Sequence, residues 1–151
     1  MGVTQKTLER RLLDALSERG LRQTGQRRTI ADVFFDGGRQ EHLGLEEIHR
    51  RARQRDRRIG YATVYRTMKL LSELGLAQER RFGDGLVRYE VAEAGHHHDH
   101  LICTRCARIL EFEEPRIEAL QERVAAAHGF TIEWHRHEIY GVCDRCSGPA
   151  G

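Results

Sequence analysis

Two Cys-x-x-Cys pairs constrain this 151-residue chain more than any other feature of its sequence. The first pair is Cys103 and Cys106, the second is Cys143 and Cys146, and 36 residues separate them. Each pair presents two thiolates on one tight turn, and four thiolates form the ligand set of a closed, structural zinc site. The alternative, two redox-active pairs, is disfavoured because neither pair lies in a thioredoxin-like strand-to-helix context.

The segment between the two pairs contains signals for a small αβ element. Residues 108–114 are predicted to form a strand, and Pro115 is placed to start a helix that runs to about His128. Residues 130–143 alternate in the manner of a second strand. A domain of this size has little room for a hydrophobic core, so we expect the zinc ion to contribute to its stability.

A histidine-rich run, HHHDH at residues 96–100, directly precedes the first cysteine pair. If the run is extended, His98 and His100 face one side, and His97 and Asp99 face the other. One strand is then able to supply two different metal sites. The alternative, an exposed polar loop, fits poorly with the interleaved aspartate and with the apolar residues that follow it.

Charge is distributed unequally between the two halves of the chain. Residues 1–91 carry 19 Lys and Arg against 13 Asp and Glu, whereas residues 92–151 carry 6 against 10. The basic residues of the first half also fit ordinary solvated helices. A whole basic half beside an acidic half rich in His and Cys, however, favours a polyanionic partner for the first half.

The sequence contains no apolar run that approaches the ~20 residues needed to cross a bilayer. Its first 20 residues are amphipathic and contain acidic side chains, which is not the pattern of a secretory signal. We therefore expect a cytoplasmic protein without a membrane partner.

The first half contains signals for several helices. Thr24 is a plausible N-cap of the second helix, a third is predicted near residues 45–53, and Gly75 closes the fourth. One face of the first helix is predicted to consist of Leu8, Leu12, Leu13 and Leu16.

The fourth helical segment, residues 61–75, has two different faces. Its core-facing stripe consists of Val64, Met68, Leu71 and Leu74. The opposite face carries Thr63, Arg66 and Lys69 near the helix start, where a recognition helix usually meets base edges.

A hairpin signal with three arginines follows around Gly83-Asp84-Gly85. This order predicts a winged helix-turn-helix, although Arg66 and Lys69 alone also fit a solvated face, and Tyr61 and Tyr65 also fit core aromatics.

Together these motifs resemble the ferric uptake regulator (Fur) superfamily over roughly residues 7–146. The matching pieces are ATVYR at residues 62–66, HHHDHLIC at residues 96–103, the HGF segment at residues 128–130, and the strand that leads to the second cysteine pair. The family consists of homodimeric repressors that act on metal-uptake or stress genes when metal-loaded.

The resemblance implies an α+β chain: an N-terminal winged helix-turn-helix plus a C-terminal αβ dimerisation domain. The DNA-binding domain is expected at residues 1–91, a hinge at 92–95, and a zinc-containing dimerisation and metal-sensing domain at 96–151. The implied partners are double-stranded operator DNA and a second copy of the chain, with a tetramer left open.

The resemblance also implies roles for individual residues. The structural zinc ligands are the four cysteines. The regulatory metal ligands are His42, Glu90, His98, His100 and Glu111. The auxiliary metal ligands are His97, Asp99, Glu118 and His135. The DNA contacts are Arg22, Arg27, Tyr65 and Arg66, to which the face of the fourth helix adds Thr63.

Three departures from the family pattern stand out. The AEAG segment after the wing is one residue longer than in typical members, Gln26 stands where many members have proline, and His137 is an extra candidate ligand near His135.

Imidazole and carboxylate ligands suit Fe²⁺ or Mn²⁺ as the regulatory metal, and Zn²⁺ is able to substitute. Family zinc sensors tend to place a cysteine in the hinge site and peroxide sensors an aspartate, whereas this chain has Glu90. We therefore predict an iron-responsive repressor of metal-uptake genes, with zinc, manganese or peroxide sensing as alternatives.

A zinc hydrolase is disfavoured because the sequence lacks HExxH and a nucleophile–base set. A passive metal buffer is disfavoured by the basic hairpin.

Overall fold

The computed structural model describes residues 4–37, 41–92 and 98–148. The chain divides into two compact units, the first spanning Met1–Ala94 and the second Gly95–Gly151. Within the described residues, no helix is both long and apolar enough to cross a membrane.

In its described residues, the first unit consists of four helices followed by a two-stranded hairpin. The elements are α1 (Gln5–Glu18), α2 (Gly25–Asp36), α3 (Leu45–Arg55), α4 (Tyr61–Glu73), β1 (Ala77–Arg81) and β2 (Val87–Val91). Strands β1 and β2 pair antiparallel, with Ala77 opposite Val91 and Arg81 opposite Val87. The predicted winged helix-turn-helix is confirmed, with α4 in the position of the recognition helix and the hairpin as the wing.

Two helix boundaries follow the sequence signals closely. The Thr24 side chain accepts a hydrogen bond from the Arg27 N–H at 3.2 Å, which satisfies one of the free N–H groups at the start of α2. Gly75 has a φ of +67°, the left-handed conformation that ends α4 and that a residue with a side chain adopts only at a cost.

The hydrophobic core of the first unit draws on all four helices and both wing strands. Leu8, Leu12 and Leu16 are buried in it, but Leu13 is 51% exposed, so its predicted place on the same face is wrong. The buried leucines recur every four residues and form one stripe. Leu13 lies about 100° around the helix from Leu12 and points away from the core.

The second unit is a small three-stranded sheet with one long helix. Its elements are β3 (Asp99–Cys103), β4 (Ile109–Phe112), α5 (Pro115–Ala127), β5 (Glu138–Gly141) and α6 (Asp144–Ser147). Strand β3 is central: it pairs antiparallel with β4 and parallel with β5. The α+β fold class predicted from the sequence is therefore confirmed, and α5 begins at Pro115 as expected.

The strand predicted over residues 130–143 is much shorter than its alternating pattern suggested. Only Glu138–Gly141 is a strand, because the ladder between β3 and β5 begins at the pair His100–Glu138. Two apolar residues ahead of it are highly exposed, Phe130 at 74% and Trp134 at 79%. The alternation therefore marks an apolar surface of the second unit and not a longer strand.

We predict that the buried stripe of α1 is needed for the stability of the first unit. Leu12 is 1% exposed, so Leu12→Ala should lower the free energy of unfolding by about 2–5 kcal/mol through lost burial and a new cavity. The matched control, Leu13→Ala, should change it by about 0.5 kcal/mol or less. Urea unfolding followed by circular dichroism measures both, and equal effects would contradict the assigned helix face.

Candidate metal centres and nucleic-acid interface

The four cysteine sulfurs of the second unit converge on one point. All four Sγ atoms lie within 4.8 Å of one another, and Cys106 Sγ is 3.7 Å from Cys143 Sγ. Zinc–thiolate bonds of about 2.3 Å in a tetrahedron place neighbouring sulfurs about 3.8 Å apart. The cluster therefore fits a tetrahedral Zn²⁺ ion.

Backbone pairing at the end of the sheet brings the two cysteine turns together. The Thr104 N–H donates to the Gly141 carbonyl at 2.8 Å, and the Cys143 N–H donates to Cys103 Sγ at 3.3 Å. That donation from Cys143 is the main cause that lowers the pKa of Cys103 to about 6. The lowered pKa favours the Cys103 thiolate, the form that binds a metal.

In the first unit, His42 and Glu90 form a buried pair. His42 Nε2 lies 2.9 Å from Glu90 Oε2, and the two side chains are 3% and 2% exposed. A short bridge holds them together, because Leu43 and Tyr89 exchange two backbone hydrogen bonds, of 2.9 and 2.8 Å. Two ligands of one octahedral ion about 2.1 Å from each stand about 3 Å apart, so this pair fits two ligand positions of such an ion.

Arg80 also contacts Glu90, a partner that sequence reasoning missed. Its Nε donates to Glu90 Oε1 at 2.8 Å, and a second guanidinium nitrogen donates to Gln78 Oε1 at 3.2 Å. The one sequence signal for this contact is weak: Arg80 lies two residues from Gln78, the position that opposes Glu90 in the hairpin. An ionised carboxylate in a buried site requires such partners.

In the second unit, His98, His100 and Glu111 form a separate group. His98 Nε2 lies 3.4 Å from Glu111 Oε1, and the His98 and His100 rings are 5.1 Å apart. His100 and Glu111 are opposite each other in the β3–β4 ladder. The three predicted regulatory residues of this unit are thus adjacent, with imidazole and carboxylate groups that suit Fe²⁺ or Mn²⁺.

The other face of β3 carries a third group of candidate ligands. Ligand atoms of Asp99, Glu118 and His135 lie within 4.8 Å of one another, and His135 Nε2 is 3.2 Å from Glu118 Oε2. His137 lies beside this group, with its Nδ1 3.2 Å from Asp99 Oδ2. The remaining predicted auxiliary ligand, His97, lies outside the described residues.

The outer face of α4 exposes the aromatic and basic side chains of the helix to solvent. Tyr65 is 48% exposed and Tyr61 46%, which excludes the interpretation that they are core aromatics. Arg66 and Lys69 are also exposed, whereas Thr63 is half-buried. A hydroxyl-bearing aromatic next to a guanidinium is suited to contact phosphates and base edges.

The other two arginines predicted to contact DNA lie near the start of α2, away from Arg66 on α4. The Arg27 guanidinium donates to the Arg22 carbonyl, so it braces the turn ahead of the helix. Arg22 lies ahead of α2 and is exposed, whereas Arg27 lies in its first turn and is half-buried.

Comparisons with known proteins agree with this arrangement. The chain matches the ferric uptake regulator family over residues 18–140. It is 45% identical to the ferric uptake regulation protein of Rhizobium leguminosarum bv. viciae over 137 residues, which cover 91% of this chain and 92% of that protein.

Two solved structures extend the similarity to three dimensions. The Helicobacter pylori ferric uptake regulator, described as having three functional metal-binding sites, is 30% identical with a TM-score of 0.88 over 98% of this chain and 97% of that one. A zinc-bound manganese uptake regulator is 45% identical with a TM-score of 0.73, over 87% and 98%. Sequence and fold agree, and the chain belongs to the ferric uptake regulator family.

Proposed function

We propose that this chain is an iron-responsive transcriptional repressor that binds operator DNA as a cytoplasmic homodimer and catalyses no reaction. One observation carries the proposal: a helix with an exposed Tyr65–Arg66 face occurs in the same chain as preorganised groups of metal ligands. An enzyme would not need the first feature, and a passive metal buffer would not need it either.

In this proposal the four cysteines hold a structural zinc ion. The convergence and spacing of the sulfur atoms support it. Bound zinc supplies a double positive charge that keeps all four thiolates deprotonated. The chain's own contribution is the pair of turns that present the sulfurs.

The regulatory ligands are proposed to come from both units: His42 and Glu90 from the first, and His98, His100 and Glu111 from the second. The family resemblance supports the joint site, and the geometry inside each unit supports its members separately. Ligands drawn from two units make metal binding depend on where the recognition helix is held. If bound metal raises the affinity for DNA by a given factor, bound DNA must therefore raise the affinity for metal by that same factor.

Asp99, Glu118 and His135 are proposed, with His97, to form an auxiliary site. Their support is the convergence of the three described ligands and the relative with three functional metal sites.

Dimerisation is proposed to use the apolar surface of the second unit. The main hydrophobic core cluster lies in the first unit, while Leu120, Val124 and Trp134 of the second unit are 51%, 52% and 79% exposed. A large exposed apolar surface of this kind usually marks the place where a partner protein binds. A two-fold dimer would present two recognition helices to a symmetric operator.

Manganese is the second candidate for the regulatory metal. The manganese uptake regulator is as similar in sequence, at 45%, as the Rhizobium ferric uptake regulation protein. Both metals accept the same imidazole and carboxylate ligands. DNA binding therefore has to be compared with anaerobic Fe²⁺ and with Mn²⁺ at matched free concentrations.

We predict that DNA binding requires the regulatory ligands. After selection of a duplex sequence, fluorescence anisotropy should show tight binding with Fe²⁺ and loss of that binding with a chelator that spares the structural zinc. His98→Ala should abolish the metal response. His128→Ala, at the exposed end of α5, should retain it. Binding that is equal with and without metal would contradict the regulatory site.

We predict that Arg66→Ala weakens operator binding and reduces its dependence on salt. Loss of one phosphate contact should lower the slope of log affinity against log salt by about 1, because fewer counterions are released. Arg116→Ala is the control with the same charge change, since its side chain is 93% exposed and lies in the second unit. Equal salt slopes for the two variants would contradict a phosphate contact by Arg66.

We predict that Cys146→Ser removes zinc and unfolds the second unit, because three thiolates hold zinc less tightly than four. The neighbouring Ser147→Ala should keep one zinc ion per chain. Acidification should release zinc from the wild type, since protons compete for the thiolates. Zinc analysis after dialysis and near-ultraviolet circular dichroism of Trp134 measure both effects, and a zinc-free but fully ordered Cys146→Ser variant would contradict the structural role.

A further inference from the structure

The two oxygens of the Glu90 carboxylate are engaged by different groups. Oε1 accepts a hydrogen bond from Arg80 Nε at 2.8 Å, whereas Oε2 faces His42 Nε2 at 2.9 Å. The Glu90 side chain is only 2% exposed, so these contacts form where water competes little. Arg80 thus holds the carboxylate at Oε1, while Oε2 is directed at His42.

Arg80 is itself fixed from two sides. Its Nε reaches Glu90, and a second nitrogen donates to Gln78 Oε1 at 3.2 Å. Gln78 is the residue directly opposite Glu90 in the β1–β2 ladder. Arg80, Gln78 and Glu90 therefore share one face of the wing hairpin, as the alternation of side chains along a strand requires.

A carboxylate whose first oxygen is occupied by a guanidinium offers a metal ion a single oxygen in a fixed direction. Groups that hold metal ligands in this way normally strengthen metal binding. We propose that Arg80 is the positioning residue of the regulatory site, orienting Glu90 so that its Oε2 and His42 Nε2 form a ready-made pair of ligands. This inference rests on the proposed function of that pair.

The same contact links the ligand pair to the wing. Arg80 lies on β1 and Glu90 on β2, so the ion pair spans the two strands of the wing hairpin. Replacing Arg80 is therefore expected to change the affinity for the metal as well as the charge of the wing.

The test is titration of the purified, zinc-containing protein with Mn²⁺ by calorimetry. All proteins carry His135→Ala, which removes an auxiliary ligand so that one site is followed. Arg80→Ala should weaken Mn²⁺ binding by about 10–100-fold. Arg80→Lys should fall between this variant and the parent, since lysine keeps the charge but lacks the planar fork.

Arg81→Ala is the matched control. It removes the same charge from the next residue of β1, on the opposite face, where the Arg81 side chain is 70% exposed and pairs with Glu79. Its effect on Mn²⁺ affinity should be about twofold or less, because exposed charges are screened. Circular dichroism of each metal-free variant establishes that it is folded.

The outcomes separate this inference from the proposed function. Removal of a nearby cation should by charge alone tighten Mn²⁺ binding, so an unchanged or higher affinity in Arg80→Ala overturns the positioning role. If Arg80→Ala does not fold, Arg80→Lys decides: weakened binding supports the role and parental affinity overturns it. His42→Ala tests the site itself. Lost binding there with parental affinity in the Arg80 variants overturns only the inference, while unchanged binding in His42→Ala overturns both.

Discussion

The closure of the sheet at the cysteine turns is the constraint on which the second unit depends. Thr104 pairs with Gly141 and Cys143 donates to Cys103, so the ends of β3 and β5 are tied where the four sulfurs meet. The register of β3 fixes which of its side chains face Glu111 and which face Glu118. A slip of one residue would exchange those faces, because side chains alternate along a strand. The placement of both other ligand groups in this unit therefore relies on the pairing that the cysteine turns hold.

Helix boundaries and ligand types were readable from the sequence because they depend on local chemistry. Thr24 caps α2 through its own hydroxyl, and Gly75 ends α4 through its own backbone conformation. The cysteine pairs and the HHHDH run likewise specify metal chemistry through residue type and spacing. The helical period of α4 placed Arg66 and Lys69 correctly on its exposed face, whereas Tyr65 was expected there only from the family resemblance.

Other features were not predictable because they depend on pairing between distant segments. The parallel pairing of β3 with β5 shortened the expected strand before Trp134, since only residues from Glu138 onward have a partner in the ladder. Leu13 was wrongly predicted on the buried face because the sequence alone does not indicate which of the neighbours Leu12 and Leu13 packs against the core. The Arg80–Glu90 contact depends on hairpin register, which the five-residue loop between the strands sets.

Strand β3 carries one candidate sulfur ligand, Cys103, at one end and candidate nitrogen and oxygen ligands at the other. Soft thiolates select zinc, while mixed imidazole and carboxylate groups accept iron or manganese. If zinc holds the cysteine turns as proposed, the second group would be aligned only once the sheet is closed, and a newly made chain would acquire its sensing ability after it has acquired zinc. A cell starved of zinc would hold fewer competent sensors whatever its iron content. The supply of one metal would then set how faithfully the cell measures another.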